Sequence, residues 1–130
     1  MYKTFLVWAS VLGGLAVALG AFGAHTLKQF VGADTISTFE TGVRYQFYHV
    51  VALFIAAILY ERFPGKWIRY AGYSFLIGIL LFCGSLYLLT IFKATHEVGI
   101  NGIGIITPFG GIFFIVGWIF LLVGVQSKKG

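Results

Sequence analysis

Four long apolar segments dominate this chain, and none of them contains an aspartate or a glutamate. They run over residues 2–24, 43–60, 67–92 and 107–126. A helix of about 20 apolar residues crosses the roughly 30 Å hydrocarbon core of a bilayer. Only helices and closed barrels satisfy the backbone in lipid, and these segments lack the alternation of barrel strands. The sequence therefore predicts four transmembrane helices.

The composition excludes an ordinary soluble domain. Hydrophobic residues make up 59% of the 130 residues and charged residues 10%, against about 45–50% and about 25% in typical globular proteins. The basic residues form short clusters between the apolar segments, as juxtamembrane anchors do, so we expect membrane lipids and no nucleic acid as partners. We predict an all-α integral membrane four-helix bundle that forms one domain over residues 1–130.

Two connections carry further signals. Asp34, in the connection between segments one and two, is a residue type that caps helices, and it predicts a short interfacial helix between helices 1 and 2. The Gly-rich stretch 98–106 predicts an irregular loop. The pair Thr107-Pro108 then predicts the start of the fourth helix, with Thr at the N-cap and Pro at the first helical position.

The distribution of Lys and Arg predicts the orientation. Four crossings put the N-terminus, the 61–69 loop and the C-terminus on one side. That side carries Lys3, Arg62, Lys66, Arg69, Lys128 and Lys129, and the other side carries Lys28, Arg44 and Lys93. Because positive charge stays preferentially in the cytoplasm, we expect both termini there. Arg44 is expected to reach the headgroups or to pair with Glu40, four residues earlier.

Small residues recur at spacings of four, which lets transmembrane helices approach closely. In segment one they form two stripes, one of Ala16, Gly20 and Ala24 and one of Gly14 and Ala18. Two small faces predict that helix 1 is the centre of the bundle, with dimerisation through one stripe as the alternative. The other packing positions are on segments three and four: Gly84, Gly110 and Gly111.

One face of segment two is polar. Gly42, Tyr45, Gln46 and His49 share it, because residues three and four apart lie side by side on a helix. A polar side chain at this depth should point into the bundle and find a partner. The topology brings polar groups of the other segments to the same membrane half. The candidate ligand-binding residues are therefore His25, Tyr45, Gln46, His49 and Thr107.

The histidines allow three interpretations. They form hydrogen bonds that fix helix packing, they line a pocket for a lipid, a quinone or another amphipathic molecule, or they ligate a haem or metal ion. Two histidines without a third ligand are a weak metal signal, so we predict no metal site and no cofactor, with haem as the alternative. The sequence contains no Ser–His–Asp order, paired intramembrane carboxylates or phosphate loop, and therefore indicates no catalytic residue.

Several motifs resemble a known family. They are Gly20-Ala-Phe-Gly-Ala-His25, Gly42-Val-Arg-Tyr-Gln-Phe-Tyr-His49, Cys83-Gly-Ser-Leu-Tyr87, Thr107-Pro-Phe-Gly-Gly111 and Gly117-Trp118. In this order they resemble domain of unknown function 423, which is similar to the eukaryotic transmembrane protein 256. The resemblance covers almost the whole chain and implies a four-helix membrane protein of bacterial or mitochondrial type, here in a bacterial cytoplasmic membrane. It transfers no catalytic residues. Members commonly have Ser where this chain has Cys83.

Three functions remain open. The sequence favours a non-enzymatic structural or interaction module, such as a small accessory subunit of a membrane complex, with a membrane protein or a second copy of the chain as partner. The alternative is a lipid-, quinone- or haem-binding protein that uses His25 and His49. The third is a small transporter that acts as an oligomer, against which the lack of Asp and Glu in the apolar segments argues.

Overall fold

Six helical elements and one short turn make up the chain in a computed structural model that describes residues 1–95 and 103–127. A single 3-10 turn follows α1, and a π-helical segment joins α3 to α4. In chain order they are α1 (Lys3–His25), the turn (Leu27–Gln29), α2 (Ala33–Arg62), α3 (Lys66–Gly78), the π segment (Ile79–Cys83), α4 (Gly84–Ala94) and α5 (Ile103–Gln126).

Four of the resulting rods are long and apolar enough to cross a membrane: Lys3–Gln29, Ala33–Arg62, Lys66–Ala94 and Ile103–Gln126. The described residues contain no strand. The predicted all-α fold with four membrane-length helices is therefore confirmed. The third rod contains α3, the π segment and α4 without a break. A tight turn at Gly65, whose φ of 151° is accessible to glycine almost alone, reverses the chain between α2 and α3.

The centre of the bundle is α2, not α1 as the sequence led us to expect. In the most apolar stretch of α2 50% of the residues are buried, against 17% in α1. Helix α1 packs mainly against α2, and α5 packs mainly against α3. The physical reason is polarity: α2 carries the side chains that are costly to expose to lipid, whereas the largely apolar outer face of α1 is stable there.

Helix α2 also begins earlier than predicted. Between α1 and α2 the only helical piece is the single 3-10 turn, and the helix that Asp34 was expected to begin is the first part of α2. Gly32 holds the N-cap position, and Asp34 lies in the first turn, where a negative charge favours the helix dipole. The buried residues Ile36, Phe39 and Val43 form one cluster with Leu27, so the apolar face runs on into the membrane span.

The fourth membrane helix begins at Ile103, within the stretch predicted to be a loop. Pro108 lies inside the helix, and the Thr107 hydroxyl does not cap it but pairs with the Ser85 hydroxyl on α4. Proline leaves the carbonyl of Gly104 without its helical donor, a defect that helices in membranes tolerate when neighbours or local adjustments compensate. The rest of the predicted loop, residues 98–102, lies outside the described residues, as do Lys128 and Lys129.

Candidate functional site

His49 is buried in the bundle, with 5% of its surface exposed, and both of its ring nitrogens are hydrogen-bonded. The Trp118 indole Nε1–H of α5 donates to Nε2 over 3.1 Å, and Nδ1 lies 2.8 Å from the carbonyl oxygen of Tyr45. Because an indole N–H can only donate, Nε2 must accept, and the proton is therefore on Nδ1, which donates to the carbonyl. The geometry describes a neutral imidazole that ties α2 to α5.

Aromatic rings hold this imidazole in place. Its plane stacks on the ring of Phe114 with centroids 3.6 Å apart and an angle of 7°. The Phe75 ring of α3 lies 5.6 Å away at an angle of 49°. Stacking and hydrogen bonding together fix the rotation of the ring, so the imidazole is a rigid part of the α2–α5 contact.

Gln46 makes the second polar contact of α2, in a different direction. Its side chain is 1% exposed, and its Nε2–H donates to the carbonyl of Leu12 on α1 over 2.7 Å. Its Oε1 accepts from the Tyr87 hydroxyl of α4 over 2.7 Å. Gly42, one turn earlier, makes room for the tyrosine, since a Cβ at that position would lie 2.8 Å from Cε1 of Tyr87. One amide thus joins three helices.

The structure separates His25 from His49. Helices α1 and α2 are antiparallel, and Gly13 of α1 lies opposite Val50, the residue that follows His49. His25 is therefore about 12 residues, or roughly 18 Å, further along α1. It is exposed at the end of that helix. The two histidines do not form one face. Of the five candidate residues, Tyr45 and His49 lie together, Gln46 points elsewhere, and Thr107 pairs with Ser85.

Beside His49, a groove of about 640 Å³ lies between α2 and α5, within the size range of about 300–1,000 Å³ typical of ligand pockets. We call it the α2–α5 groove. The phenol rings of Tyr45 and Tyr48 form the α2 wall. Its complete lining is Tyr45, Tyr48, His49, Phe82, Pro108, Gly111, Ile112, Phe114, Ile115 and Trp118.

A second groove, of about 410 Å³, opens on the other side of α2, between α1 and the third rod. We call it the α1–α3 groove. Gln46 and Tyr87 lie at its floor and Trp8 at its edge. The π segment borders both grooves, because Ile79 and Leu80 line this one and Phe82 lines the α2–α5 groove. Single π turns inside α-helices are frequently found at functional sites.

The predicted small residues fall into two groups. Ala16 is buried, and a Cβ at Gly20 would lie 3.5 Å from Val43 of α2, so this part of the first stripe faces α2. A Cβ at Gly110 would overlap the backbone of Phe82 in the π segment. The second group is exposed on the surface of the chain and consists of Gly14, Ala18 and Ala24. A Cβ placed at Gly84 would have no neighbour within 4 Å, and one at Gly111 would be in ordinary van der Waals contact with Phe82.

The described residues contain no group of three or more His, Cys, Asp or Glu side chains that could hold a metal ion. Cys83, in the π segment, is buried. A haem at His49 would need Nε2, which the Trp118 indole occupies, or Nδ1, which the Tyr45 carbonyl occupies. The donor set therefore suits packing better than metal ligation.

Sequence reasoning did not include Tyr87 and Trp118 among the candidate residues. Both carry one N–H or O–H on a large ring, and such side chains in a membrane span need a partner for that group. Tyr87 could have been matched to the small residue Gly42, because a ring needs a gap on the facing helix. The sequence contains no signal that selects His49 as the partner of Trp118.

Comparisons with known proteins agree with the motifs. Residues 19–111 match the family model described as "Protein of unknown function (DUF423)". The chain is 42% identical over 129 residues to the UPF0382 membrane protein of Haemophilus influenzae, with 99% of this chain and 98% of the relative covered. It is 38% identical over 122 residues to the UPF0382 membrane protein YwdK of Bacillus subtilis, with 93% and 94% covered.

The name of a third relative specifies the inner membrane. The chain is 36% identical over 127 residues to the UPF0382 inner membrane protein YgdD of Escherichia coli strain K12, with 98% of this chain and 92% of the relative covered. No solved structure matches the chain. The similarity confirms the resemblance recognised from the motifs, and all three relatives are named as membrane proteins.

Proposed function

Because the chain belongs to the DUF423 family of membrane proteins, we propose that it is a small non-enzymatic accessory subunit that binds a transmembrane helix of a partner membrane protein. The proposed contact surface is the outer face of α1. On this face Val7, Val11, Gly14, Ala18 and Ala21 follow one another at spacings of four and three, and all of them are exposed.

The observation that carries the proposal is that the two stripes of small residues on α1 face different directions. Ala16 and Gly20 face α2, where they allow close packing. Gly14 and Ala18 form the same spacing on the outside, and no described atom lies within 4 Å of a Cβ placed at Gly14. A small-xxx-small pair of this kind is a common contact between membrane helices, because it lets two backbones approach.

The interior supports a non-enzymatic role. Every buried side-chain nitrogen or oxygen among the described residues has a hydrogen-bond partner. His49 uses both ring nitrogens, and Gln46 uses both ends of its amide. His49 and Gln46 therefore hold helices together, and their hydrogen-bonding groups are already used within the bundle.

Crosslinking from within the membrane tests the proposal. A photoreactive residue replaces Ala18, and a matched one replaces Leu80, a residue of the π segment that lines the α1–α3 groove and is 71% exposed. We expect a crosslinked product of one defined mass from position 18 and none from position 80, and the variant Gly14→Leu should remove it. A product that contains two copies of this chain would show that the partner is a second copy of the chain and not another membrane protein. Gentle extraction that yields only a monomer, with no crosslink from position 18, would refute the proposal.

For localisation we propose the cytoplasmic membrane, with both termini in the cytoplasm. Lys3, Arg62, Lys66 and Arg69 lie at the end where the Met1 amino group is 3.9 Å from the Glu61 carboxylate. Positive charge at this end supports a cytoplasmic location. Reporter domains fused to the C-terminus that are active only in one compartment test it, and activity of a periplasmic reporter would reverse the assignment.

The second candidate function is binding of a lipid, a quinone or a haem in the α2–α5 groove. The size and aromatic lining of the groove favour it. His25 has no part in it, and haem binding would have to displace the Trp118 indole from His49. The absorption spectrum of purified protein tests haem, since the absence of a Soret band removes it. Mass spectrometry of an organic extract tests the lipid and the quinone.

A further inference from the structure

Arg44 directly precedes Tyr45, a residue of α2 that lines the α2–α5 groove. Its Nη2–H donates to the Thr41 hydroxyl over 3.3 Å. Within the described residues it forms no ion pair with Glu40, although Glu40 is four residues earlier on the same helix. The other donors of the guanidinium form no hydrogen bond within the described residues.

The direction of this contact connects Arg44 to the groove. Thr41, Tyr45 and Tyr48 follow one another at spacings of four and three and so form one row along α2. The two tyrosines line the groove. Because Arg44 bonds to Thr41, its side chain is turned towards the start of α2 and lies beside the row that lines the groove, as expected for an arginine that reaches from an apolar depth to the headgroups.

Most of the surface that lines the groove is apolar. The distance along α2 from Thr41 to His49 is eight residues, about 12 Å. The hydrogen bond between His49 and Trp118 crosses the space between α2 and α5 at that depth. On the α5 wall, Gly111 leaves room, since a Cβ there would lie 3.9 Å from the nearest atom of Phe82. The shape fits a flexible hydrocarbon chain that enters from the interface.

We propose that the α2–α5 groove binds an anionic phospholipid, with one acyl chain between the two helices and the phosphate at Arg44. The charge of the arginine selects the headgroup, and the apolar walls select the chain. This assignment deepens the second candidate function, because it names the ligand class of that groove. A basic residue near an anionic lipid surface contributes about 1 kcal/mol, which corresponds to about a fivefold preference over a zwitterionic lipid.

Trp118 lies in the groove and can report on its occupant. The variant Trp8→Phe/Trp67→Phe leaves Trp118 as the only tryptophan. It is reconstituted in phosphatidylcholine vesicles in which part of the lipid is replaced by brominated phosphatidylglycerol or brominated phosphatidylcholine, since bromine quenches tryptophan on contact. We expect quenching to give about a fivefold preference for phosphatidylglycerol, and Arg44→Gln to reduce the preference to about one.

Two controls separate a built site from general surface charge. Lys28→Gln removes a cation at the same membrane side and should leave the preference unchanged. A variant with Trp8 as the only tryptophan reports on the α1–α3 groove and should show a preference near one. The proposal is overturned if Lys28→Gln lowers the preference as much as Arg44→Gln does, or if Trp8 shows the same preference as Trp118.

A blocked groove tests the acyl chain itself. Gly111→Val extends into the groove and should reduce the quenching of Trp118 by both brominated lipids. Quenching that Gly111→Val leaves unchanged overturns the proposal. The parent protein could also show a preference near one while Gly111→Val still reduces the quenching. That result would overturn the proposal of an anionic lipid and would leave the groove as a site for an uncharged amphipathic ligand. Inorganic phosphate added at constant ionic strength should have no effect, and a loss of preference would assign Arg44 to free phosphate instead.

Discussion

Removal of the Tyr87 hydroxyl should destabilise the bundle through the Gln46 amide. In Tyr87→Phe the ring can stay over Gly42, but Oε1 of Gln46 loses the donor that now lies 2.7 Å away. Gln46 is 1% exposed, so neither water nor lipid headgroups replace that donor. A buried acceptor without a partner costs about 1–3 kcal/mol, and interhelical hydrogen bonds measured in membranes average about 0.6 and reach about 1.7 kcal/mol. Because this side chain is almost completely buried, we expect a loss of about 1.5 kcal/mol.

The partner substitution Gln46→Leu removes two contacts. It leaves the Tyr87 hydroxyl without its acceptor and breaks the bond to the Leu12 carbonyl, which keeps its place in the backbone ladder of α1. We expect it to cost about 2 kcal/mol. In the double variant the bond between the two side chains is lost only once and neither group is left alone. The combined cost should therefore fall short of the sum by about 1 kcal/mol.

Reversible unfolding by sodium dodecyl sulfate in mixed micelles, followed by tryptophan fluorescence, gives the four free energies of unfolding that the cycle needs. Tyr70→Phe is the matched control, since Tyr70 is exposed on α3 and no hydrogen bond of its hydroxyl is seen in the described residues; it should change stability by less than about 0.5 kcal/mol. Strictly additive costs for Tyr87→Phe and Gln46→Leu, or equal costs for Tyr87→Phe and Tyr70→Phe, would refute the reasoning.

The same unfolding assay checks three further predictions. Gly110→Ala should destabilise the protein by about 1–3 kcal/mol, because the new Cβ would overlap the backbone of the π segment. The control Gly111→Ala places its Cβ in ordinary van der Waals contact and should change stability by less than about 0.5 kcal/mol. Similar effects of the two variants would contradict the close approach of α5 to the π segment. His49→Ala should lower the free energy of unfolding by about 1–3 kcal/mol, because its hydrogen bonds and ring stacking are lost. His25→Ala, at the exposed end of α1, should not change it measurably. A larger loss for His25→Ala than for His49→Ala would contradict the assignment of the two histidines. Trp118→Phe keeps a ring but removes the donor to His49, so it should cost about 0.5–1.5 kcal/mol, and an unchanged stability would count against that bond.

The sequence predicts the number of membrane helices well because lipid imposes one simple condition. Each crossing needs about 20 apolar residues, and every backbone group must be bonded within the segment. The ends of the helices depend on weaker effects. Thr107 and Pro108 have the residue types of a helix start, but the helix continues four residues further towards the N-terminus, because Thr107 is bonded across to Ser85 instead of capping.

The order of the helices in the bundle was harder to predict from composition. Small residues mark a helix that can approach another closely, but they do not say how many neighbours it has. Segment one has two stripes, and Ala16 and Gly20 of the first serve its main contact, which is with α2. The better indicator was the cost of polar side chains in lipid, which places the helix with Gln46 and His49 at the centre.

The π segment gave no signal in the sequence, because residues 79–83 are apolar like the residues before and after them. Its carbonyls nevertheless need partners in a wide turn. The Ser85 hydroxyl donates to the carbonyl of Phe82 over 2.9 Å and also pairs with the hydroxyl of Thr107. One serine thus satisfies the turn and joins it to α5, at the point where Gly110 allows the backbones to meet.

The polar face of α2 shows why a shared face does not imply a shared site. Three residues of an α-helix turn through about 300°, so Gln46 and His49 differ in direction by about 60°. Sequence spacing groups them together, but in a central helix 60° is enough to reach different neighbours. Gln46 meets α1 and α4, and His49 meets α5. The two side chains therefore fix α2 from two sides, and they leave one lipid-facing groove on each of those sides.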